Sequence, residues 1–247
     1  MITYKTKEEI KKMREGGKIL AGIIKYLSNI IKPGLNASEL DLLAGKLAAE
    51  NNATPAFKGY SGYPANLCVS VNNEVVHGLP FDKILKDGDI VGLDFGLKYK
   101  GLFTDHAVTV GVGNISDKAK KLIHITRRAL YLGIKSIYPG RRIGAISEKI
   151  QNYVESKGYS VVRDLTGHGV GYKVHESPQV PNFGKKDQGP EMKEGMVLAI
   201  EPMVNIGDYQ VKLNKDGWTF VTQDNALSAH FEHTVVVTKN GFEILTK

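Results

Sequence analysis

Asp94 and Asp105 lie in DIVGLDFGLKYKGLFTDHAVTV, where apolar and polar residues alternate on both sides of Lys98-Tyr99-Lys100-Gly101. That alternation predicts a β-hairpin. A turn centred between Tyr99 and Lys100 leaves the two aspartates equally far from its centre. They would then face each other across the ladder, with Cβ atoms roughly 4.5–5.5 Å apart. Like charges so placed repel, and a fold keeps them only where a proton or a cation lies between. A divalent metal ion would satisfy both carboxylates.

The pattern recurs downstream. Glu201 and Glu232 lie equally far from the centre of Asp216-Gly217 in NKDGWTF. Asp-Gly is among the strongest short hairpin signals. The arms are long, and Gly207-Asp208 is expected to interrupt them. Between the two hairpins, Thr166-Gly167-His168-Gly169-Val170-Gly171 offers a histidine on a glycine-rich turn. Any one of these carboxylates, taken alone, reads as an ordinary solvated strand-end residue. Together, two aspartates, two glutamates and one histidine form a ligand set for two metal ions. Their contexts are apolar: Val91-Gly92-Leu93-Asp94-Phe95, and Val197-Leu198-Ala199-Ile200 before Glu201.

The elements that must position them form two similar halves. Thr6-Lys7-Glu8-Glu9 is a capping box that opens a helix to about Ile31. Lys32-Pro33-Gly34 stops it, and Ser38 is expected to cap a second helix to about Asn51. Ser116 caps a third, reaching about Tyr138. Pro139-Gly140 stops that one, and a fourth runs from about Ile143 to Lys157. Each half thus reads helix, Pro-Gly, helix, strands. The first carboxylate of each hairpin lies at nearly the same interval after its Pro-Gly. The pattern is α+β, with helices grouped before antiparallel strands. It predicts pseudo-twofold halves with a site at their interface, in a single domain over 1–247.

Bulk composition narrows the class. An apolar fraction of 42% in 247 residues supports a sizeable core. The lone cysteine, Cys68, permits no internal disulfide and suits a reducing compartment. No apolar run approaches a membrane span. The opening MITYKTKEEIKKM has no signal-peptide core, which points to the cytoplasm. The net charge of +7, with doublets such as Arg127-Arg128 and Lys185-Lys186, suits contact with a polyanion such as RNA. A solvated lysine-rich surface is the simpler explanation, since no nucleic-acid motif accompanies the charge. No G-x-S-x-G elbow, Walker loop or complete G-x-G-x-x-G is present. His77 and His175 precede or follow turn residues and read individually as structural. Tyr60, Tyr63, Trp218 and Cys68 read individually as core or surface residues. His106 and His230 are taken as neighbours of ligands rather than participants.

Several stretches together carry a family resemblance: GYSGYPANLCVSVNNEVVHGLP, DGDIVGLDFGLKYKGLFTDHAVTVGVG, LTGHGVGYKVHESPQVPN, GMVLAIEPMV, and KDGWTF followed by LSAHFEHTVVVT. They span nearly the whole chain, and the sequence resembles the type I methionine aminopeptidases, bacterial type, of the pita-bread metallopeptidase fold. The resemblance implies that Asp94 chelates one metal, that Asp105 and Glu232 bridge both, and that His168 and Glu201 bind the other. It implies two divalent ions, manganese, iron, cobalt or zinc. It places His77 near the scissile amide and leaving nitrogen, and His175 at the carbonyl oxygen. Glu201 would accept a proton from the attacking water. Tyr60, Tyr63, Cys68 and Trp218 would surround the methionine side chain, with Phe57 close by. The implied substrate is the N-terminal methionine of nascent polypeptides whose second residue is small, and the implied state is a monomer without membrane contact. Val174, Tyr172-Lys173 and His230 depart from the usual family residues, and none is a ligand. X-Pro dipeptidases and aminopeptidase P share the five ligands but usually carry a further N-terminal domain. A catalytically silent binding protein on the same scaffold, associated with RNA or the ribosome, would have lost metal ligands that this sequence retains.

Overall fold

The structure, a computed structural model, describes Met1–Lys247. Helices α1 (Lys7–Ile30) and α2 (Ala37–Glu50) precede strands β1 (Thr54–Pro55), β2 (Cys68–Val71), β3 (Glu74–Val76), β4 (Ile90–Tyr99) and β5 (Leu102–Gly111). Helices α3 (Asp117–Ile134) and α4 (Gly144–Glu155) open the second half. It continues with β6 (Ser160–Val161), β7 (Thr166–Gly169), β8 (Glu176–Pro181), β9 (Val197–Ile200) and β10 (Met203–Asn205). The last strands are β11 (Val211–Leu213), β12 (Phe220–Thr222), β13 (Ser228–His230), β14 (His233–Thr238) and β15 (Gly241–Ile244).

Each pair of helices covers the sheet of its own half. Leu20, Ile24, Leu27 and Leu40 pack against Leu93, Phe95 and Leu97 of β4. Leu122, Leu130, Ile146 and Ile150 pack against Leu198, Ile200 and Val235. Strand alternation does the rest: with the odd-numbered residues of β4 turned to the helices, Asp94 and Gly96 point to the opposite face. That face looks onto the other half. The pseudo-twofold α+β arrangement expected from the sequence is thus present, with one large core in each half and a smaller cluster that joins Met13 and Leu102 to Val197 and Val236 across them.

Helix limits follow local chemistry. The α1 capping box is present as expected, Glu9 N–H donating to Thr6 Oγ1 and Thr6 N–H to Glu9 Oε2. The cap of α2 is Asn36, not Ser38. The Asn36 side chain accepts from Ser38 N–H at 3.0 Å, while the Ser38 hydroxyl donates to Pro80 O. Helix α3 stops at Ile134, short of Tyr138. There the Ser136 hydroxyl bonds Gly133 O and the chain tightens into i→i+3 turns.

The first hairpin differs from expectation in register. Its turn centres on Lys100-Gly101, and Asp94 pairs with Ala107 while Asp105 pairs with Gly96. Both turn residues have positive φ, +48° and +85°, the signature of a type I′ turn, and glycine fits its second central position. The aspartates are therefore diagonal, not facing. A slip of two residues keeps both on one face, and diagonal neighbours remain within side-chain reach.

The second hairpin holds its expected register throughout. Ile200 pairs with His233, Met203 with His230, and Leu213 with Phe220. The Gly207-Asp208 interruption takes five residues from each arm, so the pairing resumes unshifted. Glu201 and Glu232 sit opposite each other just beyond the β9–β14 ladder. His168 lies within β7, in the five-stranded sheet β15-β14-β9-β7-β8, rather than on a turn. Its flanking glycines serve close packing. A Cβ at Gly167 would meet Ala199 O at 2.4 Å, and one at Gly169 would meet Ser177 O at 2.4 Å.

Candidate metal centre

The two halves meet back to back at their carboxylates. Asp105 N–H donates to Thr234 Oγ1, and the Thr234 hydroxyl donates to Asp105 O, both at 2.8 Å. Glu232 N–H donates to Ala107 O at 2.9 Å. These bonds lock β5 to β14 and bring Asp105 and Glu232 together from opposite hairpins. One donor atom from each of Asp105, His168 and Glu232 lies within 4.8 Å of the others.

The remaining members complete the cluster. His168 Nε2 lies 3.4 Å from Glu201 Oε1. His168 Nδ1 bonds the carbonyl of Gly169 at 2.9 Å, which assigns its proton to Nδ1 and leaves an Nε2 lone pair directed inward. Asp94 sits opposite Cys68 in the β2–β4 ladder, where a small thiol leaves room. Asn182 Nδ2 donates to the backbone carbonyl of Glu201 at 3.1 Å and holds that corner of the chain.

The electrostatics are those of a site built for a cation. Burial, then its neighbour Glu201, raises the Asp94 carboxyl to about 7, and burial raises Glu201 to about 8. Asp105 and Glu232 are pushed well above the carboxylate range, by burial and then by their acidic neighbours. Burial holds His168 down to about 3, so its imidazole is neutral and free to ligate. Asp94 Oδ1 and Glu232 Oε1 are buried without a hydrogen-bond partner. Buried oxygens left in this way need a counter-charge. Four carboxylates and one imidazole fit divalent ions of hard to intermediate character.

Beside the cluster opens a cavity of about 420 Å³, and every site residue expected from the sequence lines it. The His175 ring shares a 3.0 Å hydrogen bond between Nδ1 and the Tyr60 hydroxyl, and stands edge-on to His168 with centroids 4.3 Å apart. His77 follows β3 with φ of +58°, an uncommon conformation for a residue with a Cβ. Burial lowers its imidazole to about 4 and that of His175 below its ordinary value, so both are neutral near pH 7. Tyr63 donates to Gly78 O at 2.9 Å and meets Trp218 edge to face at 5.3 Å. With Phe57 and the protonated thiol of Cys68, they make an apolar end to the cavity. Sequence reasoning did not single out Val76, Leu165 and Met203, which also line it. Nothing distinguishes these apolar residues from ordinary core.

His230 is more than a neighbour. Its Nε2 is buried, has no hydrogen-bond partner and lies 3.5 Å from Glu201 Oε2. The signal was available: His230 stands two residues before Glu232, the spacing that puts strand side chains on one face.

Residues 11–239 match the model of metallopeptidase family M24. The methionine aminopeptidase of Clostridium perfringens is 53% identical, covering 100% of this chain and 99% of that protein. Methionine aminopeptidase 1 of Bacillus subtilis is 50% identical over the full length of both. Among solved structures, the Thermotoga maritima methionine aminopeptidase superposes with a TM-score of 0.98 at 49% identity, covering 100% of both chains. A prolidase from Pyrococcus furiosus superposes at 0.80 with 25% identity, and this chain covers only 65% of it.

Proposed function

This chain belongs to metallopeptidase family M24, and we infer that it hydrolyses the first peptide bond of a polypeptide to release methionine. It is a metal-dependent aminopeptidase, and the substrate is the N-terminal methionine of nascent proteins whose second residue is small. The observation that supports the reading is that four buried carboxyls and one neutral imidazole, drawn from both halves, line one apolar-ended cavity. Asp94, Asp105, His168, Glu201 and Glu232 would hold two divalent ions, Mn, Fe, Co or Zn. When bound, such ions supply Lewis acidity, lowering the pKa of water toward neutrality and polarising a carbonyl, as in two-metal hydrolases generally.

The protein's own residues do the rest. Tyr60 holds the His175 ring through Nδ1; with Nδ1 accepting from the hydroxyl, the proton is on Nε2, which would donate to the substrate carbonyl oxygen. A preorganised donor there strengthens its bond as negative charge develops on that oxygen. His77, neutral and rigidly presented, hydrogen-bonds the scissile amide and the departing nitrogen. Glu201 accepts the water's proton. The flexible thioether of methionine packs among Tyr63, Trp218, Phe57 and Cys68, with Tyr60 at the rim.

Methionine release from Met-Ala-Ser and Met-Lys-Ser, with chelator and then with each divalent ion, tests the reading. Metal-dependent cleavage of the first peptide alone is expected. Cleavage of X-Pro peptides without preference for methionine would favour the prolidase-like activity instead. No cleavage with any ion would leave a non-catalytic binding protein. No helix is long and apolar enough to cross a membrane. We place the enzyme in the cytoplasm as a single-domain monomer. Its charge of +7 favours the ribosome surface, where nascent chains emerge. Co-sedimentation with ribosomes should weaken steeply with salt.

A further inference from the structure

The segment ahead of α1 contacts the loop that carries His175, and its one charged side chain, Lys5, is buried. Lys5 is 5% exposed, and its Nζ lies 2.6 Å from Glu176 Oε2. Lys5 also bonds the Thr3 hydroxyl, which itself donates to Glu176 Oε2. The other carboxylate oxygen, Oε1, accepts the backbone N–H groups of Tyr172 and Lys173, the latter at 2.9 Å. One carboxylate thus closes the Tyr172–Glu176 loop and ties it to the N-terminal segment.

A second tie reinforces the first. Lys5 Nζ lies 4.8 Å from the centre of the Tyr172 ring, and the Tyr172 hydroxyl donates to Glu9 Oε1 at 2.9 Å. Lys5 N–H donates to Gly195 O at 2.7 Å. The loop is shaped around the lysine: a Cβ on Gly171, where φ is +149°, would meet Lys5 Cε at 2.2 Å. A buried lysine–glutamate pair is poor value as stability alone, because desolvation offsets most of the attraction. Here the pair holds geometry.

We propose that Lys5 and Glu176 are positioning residues that fix the backbone of the His175 loop, so that the imidazole meets the substrate carbonyl in register. The proposal rests on the reading that His175 bonds that carbonyl. His175 makes one side-chain hydrogen bond of its own, to Tyr60, a residue that is itself 40% exposed. The Glu176 clamp supplies the second constraint from the opposite side. Without it the loop loses two backbone anchors immediately before the histidine.

The test is steady-state cleavage of Met-Ala-Ser by the Mn2+-loaded full chain, with Mn2+ affinity measured separately by calorimetry. The variants are Lys5→Met, Glu176→Gln, their double, His175→Ala and Arg14→Ala. Arg14 pairs with Glu243 further along α1, so its removal loosens that helix without touching the clamp. Misplacement of a reacting group has a large effect, so kcat should fall about 10- to 100-fold in each clamp variant. KM should stay within about threefold and Mn2+ affinity should be unchanged, while the double falls no further than the poorer single variant, as one shared interaction requires. Should Lys5→Met fail to fold, Thr3→Val removes only the hydroxyl contact and should lower kcat by about threefold, again with KM held. Full kcat in the clamp variants beside a crippled His175→Ala overturns the proposal. So does an Arg14→Ala enzyme that loses kcat in proportion to its melting temperature along the same line as Lys5→Met. Full activity in His175→Ala instead overturns the reading of His175 itself.

Discussion

Single residues here carry opposed demands of stability and chemistry. A carboxyl whose pKa is raised by folding contributes stability below its unfolded value and loses it as pH rises through the folded one. The Asp94 carboxyl, raised by burial to about 7, and Glu201, raised to about 8, therefore destabilise the apo fold as pH rises. Histidines act in the opposite sense. His168 and His77, lowered by burial to about 3 and about 4, contribute stability above their ordinary 6.5 and lose it in acid. The two effects oppose each other between about pH 4 and 6.5, and above that only the carboxyls titrate. The melting temperature of metal-free protein should therefore fall from pH 6.5 to 8.5, and saturating Mn2+ should flatten the curve. Asp94→Asn should flatten it in part without metal, while weakening Mn2+ binding at least tenfold. A steep apo decline that survives Asp94→Asn undiminished would deny that carboxyl its place in the cluster.

His77 shows the same tension in the backbone. Its φ of +58° is a conformation that glycine adopts freely and other residues hold at about 1–3 kcal/mol. Both His77→Gly and His77→Ala should lower kcat with little change in metal affinity. Only the glycine variant should relieve the backbone, and it should be the more stable of the two by about 1 kcal/mol in denaturant unfolding. Equal stabilities would mean that the backbone relaxes when the ring is gone.

At the scale of elements, one glycine sets the shape of the substrate cavity. Gly96 pairs with Asp105 and lies beside Asp94 on the cavity face. A Cβ there would meet Phe57 Cε1 at 2.5 Å and Ala56 Cβ at 3.0 Å. Gly96→Ala should drive the Phe57 ring into the space for the methionine side chain. KM for Met-Ala-Ser should rise about tenfold with a smaller change in kcat, since ground-state and transition-state binding are lost together. A lowered kcat at unchanged KM would show that the metal ligands had moved instead. The same hairpin shows what sequence alone can resolve. The Asp216-Gly217 dipeptide marked the midpoint of the second hairpin, although the turn itself runs Asn214–Gly217 and Gly217, at φ +77°, closes a longer loop. In Lys98-Tyr99-Lys100-Gly101 three residues have no turn preference, and the centre lies at Lys100-Gly101, where glycine fills the second positive-φ position and Lys100 accepts the first at +48°. The two-residue error left the carboxylates on one face, so the ligand set remained legible. Asn36 displaced Ser38 as a cap because two good capping residues stood two apart, and tertiary contact with Pro80 decided between them.

At the scale of the molecule, the proposed ligands are shared between the two halves, so the seam decides whether the site exists. His168, Glu201 and Glu232 come from the second half, and Asp94 and Asp105 from the first. Sequence intervals announce the duplication but say nothing of how the halves dock. That depends on contacts such as Asp105–Thr234, between residues far apart in the chain. The reciprocal bonds of that pair are fully buried, and Thr234 is 0% exposed. Thr234→Val keeps the shape and strands both the N–H and the C=O of Asp105, one of the proposed ligands. An unsatisfied buried group is worth about 1–3 kcal/mol, so the variant should lose about 2–4 kcal/mol in unfolding experiments. Because Asp105 and Glu232 are then less firmly opposed, Mn2+ affinity should fall as well, and the melting-temperature gain on adding a fixed Mn2+ concentration should shrink. Thr234→Ser, which retains the hydroxyl, should restore both. If Thr234→Val loses stability yet keeps its full metal-induced gain, the seam holds the halves together without arranging their ligands, and the preorganisation of the centre lies within each hairpin.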